Sequence, residues 1–220
     1  MTGNLILVTG ATATTLVTAA EVKNFCKVES TVTTDDTLFA DIIGAAYLMC
    51  EQYTQRTILN ATWEYWIDGV PVGRDDDDWK VRTGWPLTLS APGSDRMSLP
   101  RPPLSSVTSI KHYNDSNTES TFAVASYLVD TAGTPGGVIL NNGYTWPSDL
   151  RSRNSMKFTF VGGYGTTAAS VPSAIKLAIM HTVAFLYEFR DAPMGAFATT
   201  SGQVPGQAQI LLNPYKVLTL

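Results

Sequence analysis

The sequence predicts an α+β fold: a small α-helical bundle of two N-terminal helices and one long C-terminal helix, an inserted antiparallel β-sheet domain, and an extended C-terminal tail. Three observations carry this. Apolar residues recur at helical spacing in 35–54 and 172–191, and they alternate with period two at intervals through 58–165. A small, polar stretch then separates the last helix from an apolar chain end. The implied division is 1–57 with 166–191 as helical core, 58–165 as inserted β-rich domain, and 192–220 as flexible tail with an apolar docking end.

Composition narrows the function classes. At 220 residues the chain can bury a real core, as one domain or two small ones. Charged residues make up 15% and the formal net charge is −4. A nucleic-acid reader held by phosphate contacts needs a basic stripe, so that class is disfavoured. A wall past which DNA slides is compatible, because an acidic lining does not stick to phosphates. No apolar run is long enough to span a bilayer. The opening 1–18 is Thr-rich without a basic region, so it does not read as a secretion signal. Cys26 and Cys50 fall on helical segments and read as free thiols of a reducing compartment, a disulfide being the lesser alternative.

In chain order, 5–12 imitates the strand and Gly turn of a dinucleotide-binding unit. After the strand only Gly10 stands before Thr15, however, and the backbone needs further glycines to approach a pyrophosphate. Thr18 and Glu21 have capping-box spacing and open a short helix to about Cys26. Asp35 and Asp36 suit the start of a second helix, reaching Thr54. Its stripe is Leu38, Phe39, Ile42, Ile43, Ala46, Met49, Cys50 and Tyr53, with Asp41, Gly44, Glu51 and Gln52 facing away. Cys50 therefore reads as packing rather than chemistry.

From Ile58 the period changes. Trp63, Tyr65 and Ile67 alternate with Glu64, Trp66 and Asp68, a strand with one buried face. Residues 70–98 read as an irregular loop, and the run Asp75 to Asp78 within it lacks the spaced ligands of a calcium loop. The proline-rich 97–104 is a stiff connector. Strands are expected over 107–113, 121–129, 137–140 and 155–161, separated by turn-forming clusters at 114–117, 134–137 and 141–143. Gly162-Gly-Tyr-Gly165 has the glycine content of a phosphate loop but no Lys-Ser/Thr pair after it.

The long helix is expected to be capped by Ser170, with Pro172 in its first turn. Ile175, Ala178, Ile179, Val183, Phe185, Leu186 and Phe189 share one stripe. The other side carries Leu177, Met180, Ala184 and Tyr187 among Lys176, His181, Glu188 and Asp191. Either one deep core surrounds this helix, or a neighbouring subunit covers its second side. In the latter case Leu177, Met180, Ala184 and Tyr187 are the subunit-interface candidates. After the Gly/Pro-punctuated 192–207, an apolar end follows: Ile210, Leu211, Leu212, Tyr215, Val217 and Leu218. It reads as a docking element, for a partner or for its own subunit.

No catalytic constellation, metal set or cofactor site emerges. The two histidines, His112 on a strand and His181 on the long helix, have no partner at ligand spacing and read as hydrogen-bonded structural residues. No paired carboxylates fall on one face. The chain therefore reads as a protein that is not an enzyme.

One family fits the order of segments. The carrying residues are Leu16-Val-Thr-Ala-Ala-Glu-Val-Lys23 with Lys27 and Val28, then Asp35-Asp36 before the 38–53 helix and Thr54-Gln-Arg-Thr57. Next come Thr62-Trp63-Glu64 and Leu99-Pro-Arg-Pro-Pro-Leu104-Ser-Ser-Val107. Phe160-Val-Gly-Gly-Tyr-Gly165, Val171-Pro172, Tyr187-Glu188, Arg190 and Leu211-Leu212-Asn-Pro-Tyr-Lys216 complete them. In this order they resemble the head–tail connector (adaptor or head-completion) proteins of tailed bacteriophages and related gene-transfer particles. The loop 70–98 departs from that pattern.

The resemblance implies a virion structural protein at the head–tail interface, made in the host cytoplasm. It implies a homo-oligomeric ring, commonly dodecameric, whose subunits can be monomers in isolation. It also implies a portal protein above, a tail-side connector or tail terminator below, and double-stranded DNA passing through without sequence-specific contact. Portal docking would fall to Ile210, Leu211, Leu212, Tyr215, Val217 and Leu218. No cofactor and no membrane are implied. The alternative is a β-rich carbohydrate- or receptor-binding module of a phage particle, using Trp66, Trp79, Trp85 and Trp146.

Overall fold

The computed structural model describes residues 3–69, 96–190 and 204–217. The chain forms two compact units. One takes 3–10 and 60–163, and the other takes 11–59 and 164–217. The run Asp75 to Asp78, Trp79 and Trp85 lie outside the described residues.

The helical unit is built from α1 (Ala19–Phe25), α2 (Asp36–Thr54), α3 (Ser173–Glu188) and α4 (Gly206–Leu212). The Thr18 hydroxyl accepts the Glu21 N–H at 3.3 Å while the Glu21 carboxylate accepts the Thr18 N–H at 2.9 Å, so the capping box forms as the spacing predicts. Lys176 on α3 donates to the same carboxylate at 2.6 Å and ties the two helices together. Phe39, Ile43, Ala46 and Cys50 of α2 meet Ile175, Ala178, Ile179 and Val183 of α3 in the core, joined by Leu16, Val22, Ala208 and Leu212. Both cysteines are free thiols.

Four details of the helical reading are corrected. Ser170 lies in a 3-10 turn (Ala168–Ser170) and shares a hydrogen bond with Thr167, while Pro172 occupies the cap position of α3 without a side-chain bond. Asp35 holds the N-cap position of α2 but makes no side-chain cap bond; its carboxylate accepts the Tyr187 hydroxyl at 2.9 Å instead. Glu51 is buried rather than outward, because it accepts the Ile58 N–H at 2.7 Å where the chain leaves α2. Phe185 is only half-buried and Phe189 is exposed, since the helix ends at Glu188 and the core stripe narrows to one side.

The sheet unit holds eight strands among the described residues, all paired antiparallel. A five-stranded sheet has the order β1 (Asn4–Thr9), β2 (Ala61–Ile67), β8 (Met156–Gly162), β4 (Leu104–Tyr113), β5 (Glu119–Thr121). A three-stranded sheet has β3 (Arg96–Ser98), β7 (Gly137–Leu140) and β6 (Tyr127–Asp130). Trp63, Tyr65 and Ile67 face inward as their alternation predicts, against Phe158, Phe160 and Ile110. Met97, Val138 and Leu140 of the smaller sheet share this core.

The sheet reading is corrected in three places. The expected single strand 121–129 is interrupted by a 3-10 turn at Val124–Ser126, and its halves enter different sheets. No Gly or Pro marks this break, so the apolar alternation runs across it unseen. The end of the expected loop 70–98 is a strand, β3, pairing with β7. The first strand belongs to the sheet, not to the helices: β1 pairs antiparallel with β2, and a 3-10 turn (Ala13–Thr15) follows it in place of a phosphate-binding helix. The glycine run 162–165 serves geometry instead. Gly165 has φ +153°, and a Cβ there would come within 2.4 Å of Ser170.

Candidate functional site

The apolar chain end folds back on its own helical unit. Val204, Ala208 and Leu212 are fully or nearly fully buried. Tyr53 donates to Asn213 Oδ1 at 2.7 Å, Val217 N–H donates to the Thr54 carbonyl at 3.0 Å, and Arg56 donates to the Tyr215 carbonyl. Of the six portal-docking candidates, Leu212 is core, Leu211 and Tyr215 pack on the core, and Val217 is half-buried. Leu218 lies outside the described residues. Ile210 alone points to solvent, 72% exposed.

The four subunit-interface candidates are half-buried. Tyr187 is engaged within its own unit: its ring stacks on Phe39 at 4.5 Å and its hydroxyl reaches Asp35. Met180 also packs against the helical core. Leu177 and Ala184 stand outside that packing.

Sequence reasoning missed several exposed apolar positions of the sheet unit, among them Ile6, Leu7 and Val8 on β1, Val124 in the 3-10 turn before β6, and Leu128 on β6. The signal was present. Residues 4–9 read Asn-Leu-Ile-Leu-Val-Thr, a β-prone run without charge or proline. β1 is the end strand of the larger sheet, a place that its resemblance to a nucleotide-binding strand does not suggest.

Both cysteines and both histidines lie among the described residues. Burial pushes the Cys50 thiol up to about 12, and its sulfur lies 3.8 Å from the Thr182 hydroxyl. Burial also raises the Cys26 thiol, with the charge of Glu188 adding to it. His181 meets Phe25 edge-on at 5.2 Å. His112 sits half-buried in β4 and its Nδ1 has no hydrogen-bond partner, so the bond expected of it is not made at that nitrogen. A groove along α1 is lined by Ala19, Lys23, Asn24, Val28 and Asp36. Within it Lys23 donates to the Val32 carbonyl at 2.7 Å and pairs with Asp36, so its charge is satisfied by the chain.

Among the described residues there is no group of three or more His, Cys, Asp or Glu placed to hold a metal, and no helix long and apolar enough to cross a membrane. Two tryptophans of the carbohydrate reading are engaged within the sheet unit. Trp66 stacks on Tyr113 at 5.7 Å beneath Lys157, and Trp146 stacks on Phe122 at 5.5 Å.

No curated protein matches the chain. Several solved chains share its fold, three of which follow. A chain from the neck of an empty GTA particle, computed with C6 symmetry, matches with a TM-score of 0.71 at 17% identity, covering 99% of this chain and 97% of that one. A chain from the virion of a native gene transfer agent particle gives 0.68 at 16%, covering 98% and 96%. One from the neck of the native GTA particle, computed with C12 symmetry, gives 0.66 at 18%, covering 99% and 97%. The α+β architecture is thus that of phage-like neck proteins. The model of one family, described as Head completion protein, spans residues 15–218, and the chain belongs to that family.

Proposed function

We propose that the chain is a structural subunit of the head–tail neck of a tailed-phage-like particle. Copies form a ring under the portal at the capsid vertex, complete the head, surround the DNA channel and give the tail its attachment surface. The family match over 15–218 carries this reading. The fold shared with neck chains of particles computed with C6 and C12 symmetry supports the ring. A ring subunit works by fitting against copies and neighbours, which requires no turnover. The net charge of −4 suits a duct that lets DNA pass without gripping it.

Partners in this reading are the portal on one side, a tail-side connector or tail terminator on the other, and passing DNA. Localisation is the virion, with assembly in the host cytoplasm. The test is genetic and direct. Particles assembled without the chain should package DNA into heads that gain no tail, and supplying the chain should restore joining. Normal tail joining in its absence would reject the proposal.

A further inference from the structure

The turn after β7 holds the one asparagine–glycine pair of the chain, Asn142-Gly143. The Tyr144 N–H donates to the Asn141 carbonyl at 3.1 Å and closes a four-residue turn with this pair at its centre. Gly143 has φ +84°, which the third place of a type II turn requires and which glycine adopts without strain. The missing side chain also leaves the pair bare. A Cβ on Gly143 would meet nothing within 4 Å, and both residues are exposed.

The side-chain amide of asparagine is one of the labile groups of a protein. The backbone nitrogen of the following residue can reach its Cγ, and bonding there closes a five-membered ring. A side chain on that following residue crowds the approach, so glycine permits it best. Of the nine asparagines in the chain, Asn142 alone is followed by glycine. Others are held by their own bonds. Asn141 Nδ2 donates to the Ala125 carbonyl at 2.8 Å, Asn114 Oδ1 accepts the Thr118 N–H at 2.9 Å, and Asn117 Oδ1 accepts from Arg151 at 3.2 Å. Asn213 precedes Pro214, whose nitrogen has no hydrogen to lose. At Asn142 the open space around Gly143 leaves the peptide plane between the two residues room to turn, which the attack requires.

We propose that Asn142 is a modification site at which the chain deamidates itself. The Gly143 nitrogen bonds to Asn142 Cγ, the Cγ–Nδ2 bond breaks, and the Gly143 proton leaves with the side-chain nitrogen as ammonia. One water then opens the resulting succinimide at either carbonyl, giving aspartate or isoaspartate. No electron is transferred; the sum is amide plus water to carboxylate plus ammonium. The product carries one more negative charge than the −4 of the parent. In the isoaspartate form the main chain is longer by one carbon. That change falls beside Asn141, whose N–H and side chain hold the carbonyls of Ser126 and Ala125. The inference is independent of the neck reading.

The experiment incubates the full native chain in neutral and in mildly alkaline buffer and maps its peptides by mass spectrometry, with aspartate and isoaspartate forms separated by chromatography. Asn142 should lose its amide before any other asparagine, and faster in the alkaline buffer. Isoelectric focusing should show an acidic band growing at the same rate. Asn142→Gln, whose longer side chain disfavours ring closure, should abolish that band without moving the melting temperature. Conversion of another asparagine first would overturn the proposal. So would an Asn142 that keeps its amide in the native chain, whether or not the urea-unfolded chain loses it.

Discussion

Phe158 and Phe185 separate a core aromatic from a partly covered one. Phe158 on β8 is fully buried and meets Trp146 edge-on at 6.3 Å. Phe158→Ala should cost about 3–5 kcal/mol through the cavity it leaves. Phe185 keeps part of its ring in water, so Phe185→Ala should cost less than half as much; denaturant unfolding of the two variants checks the ranking. Glu51 shows that a charged residue can be as firmly held in place as an aromatic one. Its carboxylate receives the Ile58 N–H and adjoins the Tyr47 hydroxyl, which in turn accepts the Leu59 N–H at 3.0 Å. Glu51→Ala strips a buried donor of its acceptor and should cost about 1–3 kcal/mol. Cys50, raised to about 12 and shut away from solvent, should resist iodoacetamide at pH 8 until the chain unfolds. Labelling of Cys50 in the native protein, read by mass spectrometry, would contradict that packing.

At the scale of elements, α1 depends on its first turn and on Lys176. Thr18→Ala removes the cap and should cost about 1 kcal/mol. The Glu21 carboxyl is held below its ordinary value, first by the Lys176 hydrogen bond and then by the Thr18 N–H. The folded chain therefore holds this proton less tightly than the unfolded chain. Its contribution is fully present above the unfolded value and fades as pH falls through the lower folded one. Stability measured from pH 6 down to 3 should thus fall less steeply in Glu21→Gln than in the parent. The capping box was legible because a three-residue spacing specifies both bonds. So were Trp63, Tyr65 and Ile67, since a single core covers one face of β2. The 3-10 break at Val124–Ser126 was not, because no residue type there demands it and the split depends on distant pairing with β7. Glu51 was misplaced for a related reason: its acceptor role is created by where the chain turns after α2, which helical periodicity does not contain.

For the whole molecule, the chain end decides how a docking experiment must be designed. A tail that merely trailed from the helical unit could be removed without harm. Here Ala208 and Leu212 lie in the core, and Val217 is bonded to the end of α2, so deleting 207–220 would open the helical unit as well as remove any contact. Failure of such a truncation to join heads would say nothing about docking. Ile210 escapes this difficulty because it stands on the solvent side of α4. Ile210→Asp should change stability by no more than about 0.5 kcal/mol, as exposed substitutions usually do. If α4 meets the portal, the same change buries an unpaired charge in that contact, which typically costs about 2–5 kcal/mol. The expected result is a folded, normally melting chain whose heads join tails far less often than the parent's. Parent-level joining by Ile210→Asp, at equal chain concentration, would remove α4 from the docking surface and leave the chain end a purely internal part of the helical unit.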